Sequence, residues 1–277
     1  MTDPVRQRPL PGLVAAAFVT LTTMLAACAP MGIVEAPLAA EPAAAAATPR
    51  PARDARREPR ASAIPAPTAT PIPTPVPRPF ALDLYQAGDF VPQYTFDWCV
   101  AASIQIAHNL VATGSVANWA DQSHQGELWE MARARSTNAY NGANPFGWAE
   151  TLTEVGLGPY AVVSIPDYAD ALRTAARALS ETGRPVGLVM WRGRHAWVMS
   201  GFESLGDPAA FPDFTVTGVR VLDPLYPHGS GTWGPSPEPN ALLTPDELAT
   251  QFVVREPRRW SSGLPTGYLL VLPLAAA

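Results

Sequence analysis

The chain has 277 residues, 47% of them hydrophobic and 16% charged, enough for one or two domains with a real core. Its formal net charge is −5 and its pI about 5.4; no basic stripe runs through the C-terminal part, which argues against nucleic acid as a partner. The two cysteines, Cys28 and Cys99, stand in regions of different character, so a structural disulfide is not expected.

Arg6 and Arg8 precede an apolar run from Leu13 to Ala27 that ends in small residues. A positive start, a short greasy centre and a small-residue end are the layout of a secretory signal. The run is shorter than the roughly 20 apolar residues of a stable membrane span, although an uncleaved anchor stays open. Its end, Leu25-Ala26-Ala27-Cys28, resembles the lipobox of bacterial lipoproteins. That resemblance implies a signal peptide over 1–27 and a diacylated Cys28 as the new N-terminus. It also implies an extracytoplasmic protein held to the membrane through N-terminal lipid. The alternative is an ordinary signal peptide whose end happens to contain a cysteine.

Residues 28–79 then form the anchor and a stalk. Ala29 to Pro79 is low in complexity, with alanine runs, arginines between Arg50 and Arg60, and a proline-dense end from Pro65 to Pro77. It offers no periodic apolar face to pack, and the end favours extended polyproline-like chain. At about 3.1 Å per residue, such a stalk reaches on the order of 150 Å when fully extended.

Residues 80–277 read as one domain. Its opening stretch, Gln93-Tyr94-Thr95-Phe96-Asp97-Trp98-Cys99, leads into a helix expected to run to Val111, with Asp97 as its cap. Cys99 then lies in the first turn, where free amides and the helix dipole favour a thiolate. Gln93, six residues earlier, can point an amide N–H at the same spot. A nucleophile beside an amide donor is half of an acyl-transfer site. The plain alternative is a buried, inert cysteine.

Further helices are expected over Ala120–Arg135, with Leu128, Trp129 and Met131 as the apolar face, over Phe146–Val155, and over Tyr168–Thr182, ended by Gly183. Strands are expected around Ala161–Val163, over Val186–Trp191, His195–Phe202, Phe214–Leu222 and Tyr268–Leu272, with a short helix capped by Thr244 and running to Phe252. Helices first and strands after indicate an α+β domain with an antiparallel sheet.

Of the four histidines, His108 is too far along the cysteine's own helix to meet it easily. His124 reads as solvated, and His228 lies in a Pro/Gly loop. His195 opens a strand after the turn Arg192-Gly193-Arg194, and Asp223 ends the next strand. In an antiparallel pair the start of one strand lies beside the end of the next, so the carboxylate can hold the imidazole in its working tautomer. Asp223-Pro224 is also a common turn starter, and the two roles are compatible.

In that order, Gln93, Cys99 on a helix start, His195 on a strand and Asp223-Pro224 resemble the papain-like fold, and within it the C39-like peptidases of bacteria. The resemblance implies Cys99 as nucleophile, His195 as general base, Asp223 as orienting acid and Gln93 as oxyanion donor. It also implies a peptide or protein substrate, a thioester intermediate, and no metal or cofactor. A monomer is expected. Val100 departs from the glycine that many members carry after the cysteine. A transglutaminase-like acyltransferase and an inactive papain-like binding module are the alternatives.

Overall fold

A computed structural model describes residues 75–112, 118–137, 142–257 and 263–275. The signal-like run, Cys28 and the stalk up to residue 74 lie outside them. In chain order the elements are β1 (Pro79–Asp83), α1 (Cys99–Val111), α2 (Gln122–Ala134), α3 (Pro145–Leu152) with a π-type turn over Thr153–Leu157, β2 (Tyr160–Ile165), α4 (Tyr168–Thr182), β3 (Val186–Met190), β4 (His195–Leu205), β5 (Thr215–Leu222), β6 (Gly229–Ser230), β7 (Gly234–Pro235), β8 (Ala241–Leu243), α5 (Pro245–Ala249) and β9 (Tyr268–Pro273).

The main sheet has the order β2-β9-β3-β4-β5-β8, with β1 also paired to β4. Every pairing is antiparallel. The domain is therefore α+β, with helices on both faces of one antiparallel sheet. Side chains alternate across a strand, and the two cores follow that period. Leu188, Met190, Trp197, Met199, Leu270 and Leu272 join α4 and α5 in one core. Val189, Ala196, Val198, Leu269 and Val271 join α1, α2 and α3 in the other.

Local chemistry explains most element ends. Asp167 caps α4 by accepting from the Asp170 amide, and Gly183 closes it in the left-handed region at φ 63°. Thr244 and Glu247 form a reciprocal capping box on α5. Helix α5 ends at Ala249, short of the expected Phe252.

The expected Asp97 cap is not formed: Trp98 occupies the N-cap position of α1, and no side chain caps that end. The cause is packing. The Trp98 indole lies over α2, where a Cβ on Gly126 would sit 3.0 Å from its ring, and 6.2 Å from the Trp129 ring centroid. Packing that half-buried indole fixes the residue next to the helix and leaves Asp97 exposed. Helix α2 also turns a different face inward than expected. Gln125, Leu128 and Ala132 are buried, whereas Trp129 and Met131 are only half-buried.

Helix α1 is the inner helix, with every residue from Val100 to Ala107 buried. Two glutamines cross-tie it, while the buried Ser103 hydroxyl has no hydrogen-bond partner among the described residues. Gln105 donates to the Asp121 carbonyl at 3.0 Å. Gln125 donates to Gln105 Oε1 at 2.7 Å and to the Pro92 carbonyl, and its own Oε1 accepts the Tyr94 amide at 2.9 Å. This buried chain ties α1, α2 and the segment before Cys99 into one unit.

Trp148 of α3 is fully buried and lies on β3 at Gly187. A Cβ there would stand 2.5 to 2.9 Å from three ring carbons. Gly187→Ala should therefore destabilise the domain by about 1–3 kcal/mol in urea unfolding, the usual penalty of overpacking. Gly231→Ala, where a Cβ meets nothing within 4 Å, should stay within about 0.5 kcal/mol of the parent.

Candidate active site

The sulfur stands at the first residue of α1. Cys99 is a free, half-buried thiol. The first bond to turn back in this helix is Ala102 N–H to the Trp98 carbonyl, at 2.9 Å. The amides ahead of it have no side-chain cap, so the positive end of α1 is directed at whatever binds beside Cys99.

The imidazole arrives from the sheet. His195 is the first residue of β4, and Asp223 follows the last residue of β5. Strand pairing sets Val198 against Leu222, which brings the start of one strand beside the end of the other. His195 Nε2 and Asp223 Oδ1 are 2.6 Å apart, with side-chain exposures of 4% and 0%. Asp223 Oδ1 also accepts the Leu225 amide at 2.9 Å, which fixes the carboxylate on its own turn. Its Oδ2 is buried without a partner.

Cys99 lies close enough to His195 for its thiol to help raise the pKa of the imidazole. Nε2 is committed to Asp223, which leaves Nδ1 as the ring's second nitrogen. On one face the ring stacks against the Trp191 indole, at 4.1 Å and 24°. Burial alone would lower the pKa of His195. The hydrogen bond to Asp223, the nearby Cys99 thiol and the charges on both outweigh it, and the value is raised from 6.5 to about 9.

Gln93 is tied to the same corner. Its backbone N–H donates to the Pro224 carbonyl at 2.8 Å. Its carboxamide Nε2 is bonded to the carbonyls of Thr95 at 3.0 Å and Phe96 at 2.8 Å. Gln93 Oε1 is buried without a partner. The side chain thus clasps the loop leading to Cys99, a bracing role that its sequence position did not foretell. The remaining histidines belong elsewhere. His108 stacks on Trp119 at 3.7 Å, and its pKa is lowered chiefly by burial. His124 is half-buried edge-on to the same indole at 4.5 Å, not solvated as expected, and His228 is exposed.

An open groove of about 610 Å³ lies between α3 and β2, lined by residues including Phe146, Glu150, Glu154 and Val162; none of Gln93, Cys99, His195 or Asp223 lines it. Among the described residues, no three His, Cys, Asp or Glu side chains are grouped to hold a metal ion. No helix among them is long and apolar enough to cross a membrane.

Two residues of the site escaped the sequence reading. Trp191 was expected to end a strand but lies in the turn before His195, with φ 55°. Gln251 accepts the Trp191 indole N–H at 2.8 Å from 60 residues away. The Trp-Arg-Gly-Arg turn before a strand histidine was the one available signal for Trp191; nothing local marks Gln251.

The raised pKa of His195 has a definite sign. Its stabilising contribution is complete below about pH 6.5 and is lost as pH rises through about 9. Asp223→Asn removes the main group favouring the imidazolium, so NMR titration should place His195 well below 9 in that variant. An unchanged value would mean the carboxylate does not govern the ring.

Comparison with protein-family models and with curated proteins finds no match to this chain.

Proposed function

We propose that this domain is a papain-like cysteine peptidase of the C39-like type, hydrolysing peptide bonds through a thioester on Cys99. The observation that carries the reading is one buried imidazole bonded to a buried carboxylate at 2.6 Å and near enough to a free thiol to be shifted by it. These three groups come from a helix start and from two neighbouring strands. That is the nucleophile–base–orienter order that acyl transfer requires.

The chemistry follows from the groups present. Proton transfer from Cys99 to His195 Nδ1 gives thiolate and imidazolium, and Asp223 stabilises the cation through Nε2. The thiolate adds to the scissile carbonyl, and the developing oxyanion is met by amide hydrogens at the start of α1. The imidazolium then protonates the leaving amine as the C–N bond breaks, leaving an acyl-sulfur bond. His195, neutral again, takes a proton from water as the hydroxide oxygen adds to the thioester. Collapse releases the acid and restores the thiol. Gln93 keeps the preceding loop closed and serves as a second oxyanion donor when substrate replaces one of its loop carbonyls.

In this reading residues 1–27 are the signal peptide, Cys28 carries the lipid, and the stretch to Pro79 holds the enzyme clear of the membrane. The substrate is then an extracytoplasmic peptide or protein, met by a monomeric enzyme.

The test pairs hydrolysis with alkylation. Cys99→Ala should abolish cleavage in a protease-wide peptide library. His195→Ala should slow iodoacetamide labelling of Cys99 at pH 6 to the rate of an ordinary thiol. Retained cleavage without the sulfur, or labelling indifferent to His195, would sink the peptidase; the second result would leave an inactive binding module. Incorporation of an amine in place of water would identify an acyltransferase instead.

A further inference from the structure

The turn that delivers His195 is held in an unfavourable backbone conformation. Trp191, Arg192 and Gly193 have successive φ values of 55°, 58° and 89°. A bulky tryptophan at positive φ is rare, and such strain persists only where surrounding contacts overdetermine it. Those contacts converge on one side chain that the proposed chemistry does not use. Gln251, just past α5, accepts the Trp191 backbone N–H through its own carbonyl at 3.0 Å. Its Oε1 accepts the Trp191 indole N–H at 2.8 Å. Its Nε2 reaches the Pro235 carbonyl at 3.5 Å, on the strand that follows Trp233. The Trp233 ring is parallel to Trp191 within 3°, at 6.5 Å. From beneath, Gly193 rests on the stem of buried Arg255, where a Cβ would stand 3.3 Å from Cγ and Cδ.

We propose that Gln251 is a positioning residue of the peptidase site: it clamps Trp191 by main chain and side chain at once, so that the indole face holds the His195 ring between Cys99 and Asp223. The inference rests on the peptidase reading. Gln251 touches no reacting atom. It fixes the indole plane, and the indole fixes the ring that must alternate between sulfur and leaving amine. An aromatic face also favours a cation stacked on it, so the clamp supports the imidazolium as well as its orientation. The other groups facing the ring are the Asp223 carboxylate and the Cys99 sulfur; Arg192 and Arg194, in the turn itself, are exposed.

The test reads His195 directly, by NMR titration of the full chain. Trp191→Leu should lower its pKa by about half a unit, the scale of a lost cation–aromatic contact. Gln251→Leu should shift it the same way and broaden the ring signals. Trp191→Phe keeps a ring on the imidazole but has no indole N–H; in that background Gln251→Leu should have a clearly smaller effect. A Gln251→Leu protein that melts earlier yet leaves His195 at its parental pKa and line width would overturn the positioning role. So would an equal shift in the Trp191→Phe background. Failure of the peptidase reading looks different: Cys99 alkylation would then ignore His195→Ala, whatever Gln251 does.

Discussion

The buried bond between His195 Nε2 and Asp223 Oδ1 is the constraint on which the rest of the site depends. Both side chains are withdrawn from water, and a lone ionised group there would be costly. Each is tolerable because the other is 2.6 Å away. The second carboxylate oxygen is nonetheless buried without a partner. A fold selected for stability alone would gain from apolar side chains at both positions. In the proposed function, this corner keeps an imidazole and a carboxylate because Asp223 holds His195 ready for the Cys99 sulfur.

The architecture supplies that corner from two layers, a sheet and a helix packed on it. The sheet brings His195 and Asp223 together by antiparallel register, from Val198 opposite Leu222 onward. The helical layer brings Cys99, because α1 is buried along its first turns and cross-tied by Gln105 and Gln125. The Gln93 amide on the Pro224 carbonyl adds a main-chain link between them, joining the loop before the cysteine to the turn after the aspartate. The residues that flank His195 and Asp223, Ala196 and Leu222, pack in the same core as α1.

Much of this was legible in the sequence where the cause is local. Helix α4 runs over Tyr168–Thr182 as read, because Asp167 and Gly183 state its ends. The His195–Asp223 pairing followed from two β-rich runs and the geometry of adjacent antiparallel strands. What the sequence did not show depends on distant partners. The cap of α1 went to Trp98 because α2 offers its indole a seat at Gly126. Strand β1 was missed because Pro79–Asp83 abuts the proline-dense stretch and becomes a strand only against Gly201–Leu205 of β4. Gln251 reaches Trp191 across 60 residues, and no pattern around either residue announces it.

The most direct test of the central claim is to catch the acyl group on the sulfur. The full chain, mixed with an activated ester and quenched in acid during turnover, would be digested and mapped by mass spectrometry. One acyl adduct is expected, on the peptide containing Cys99, accumulating in the parent and lost in His195→Ala. An adduct that forms equally well without the imidazole, or one that maps away from Cys99, would contradict it.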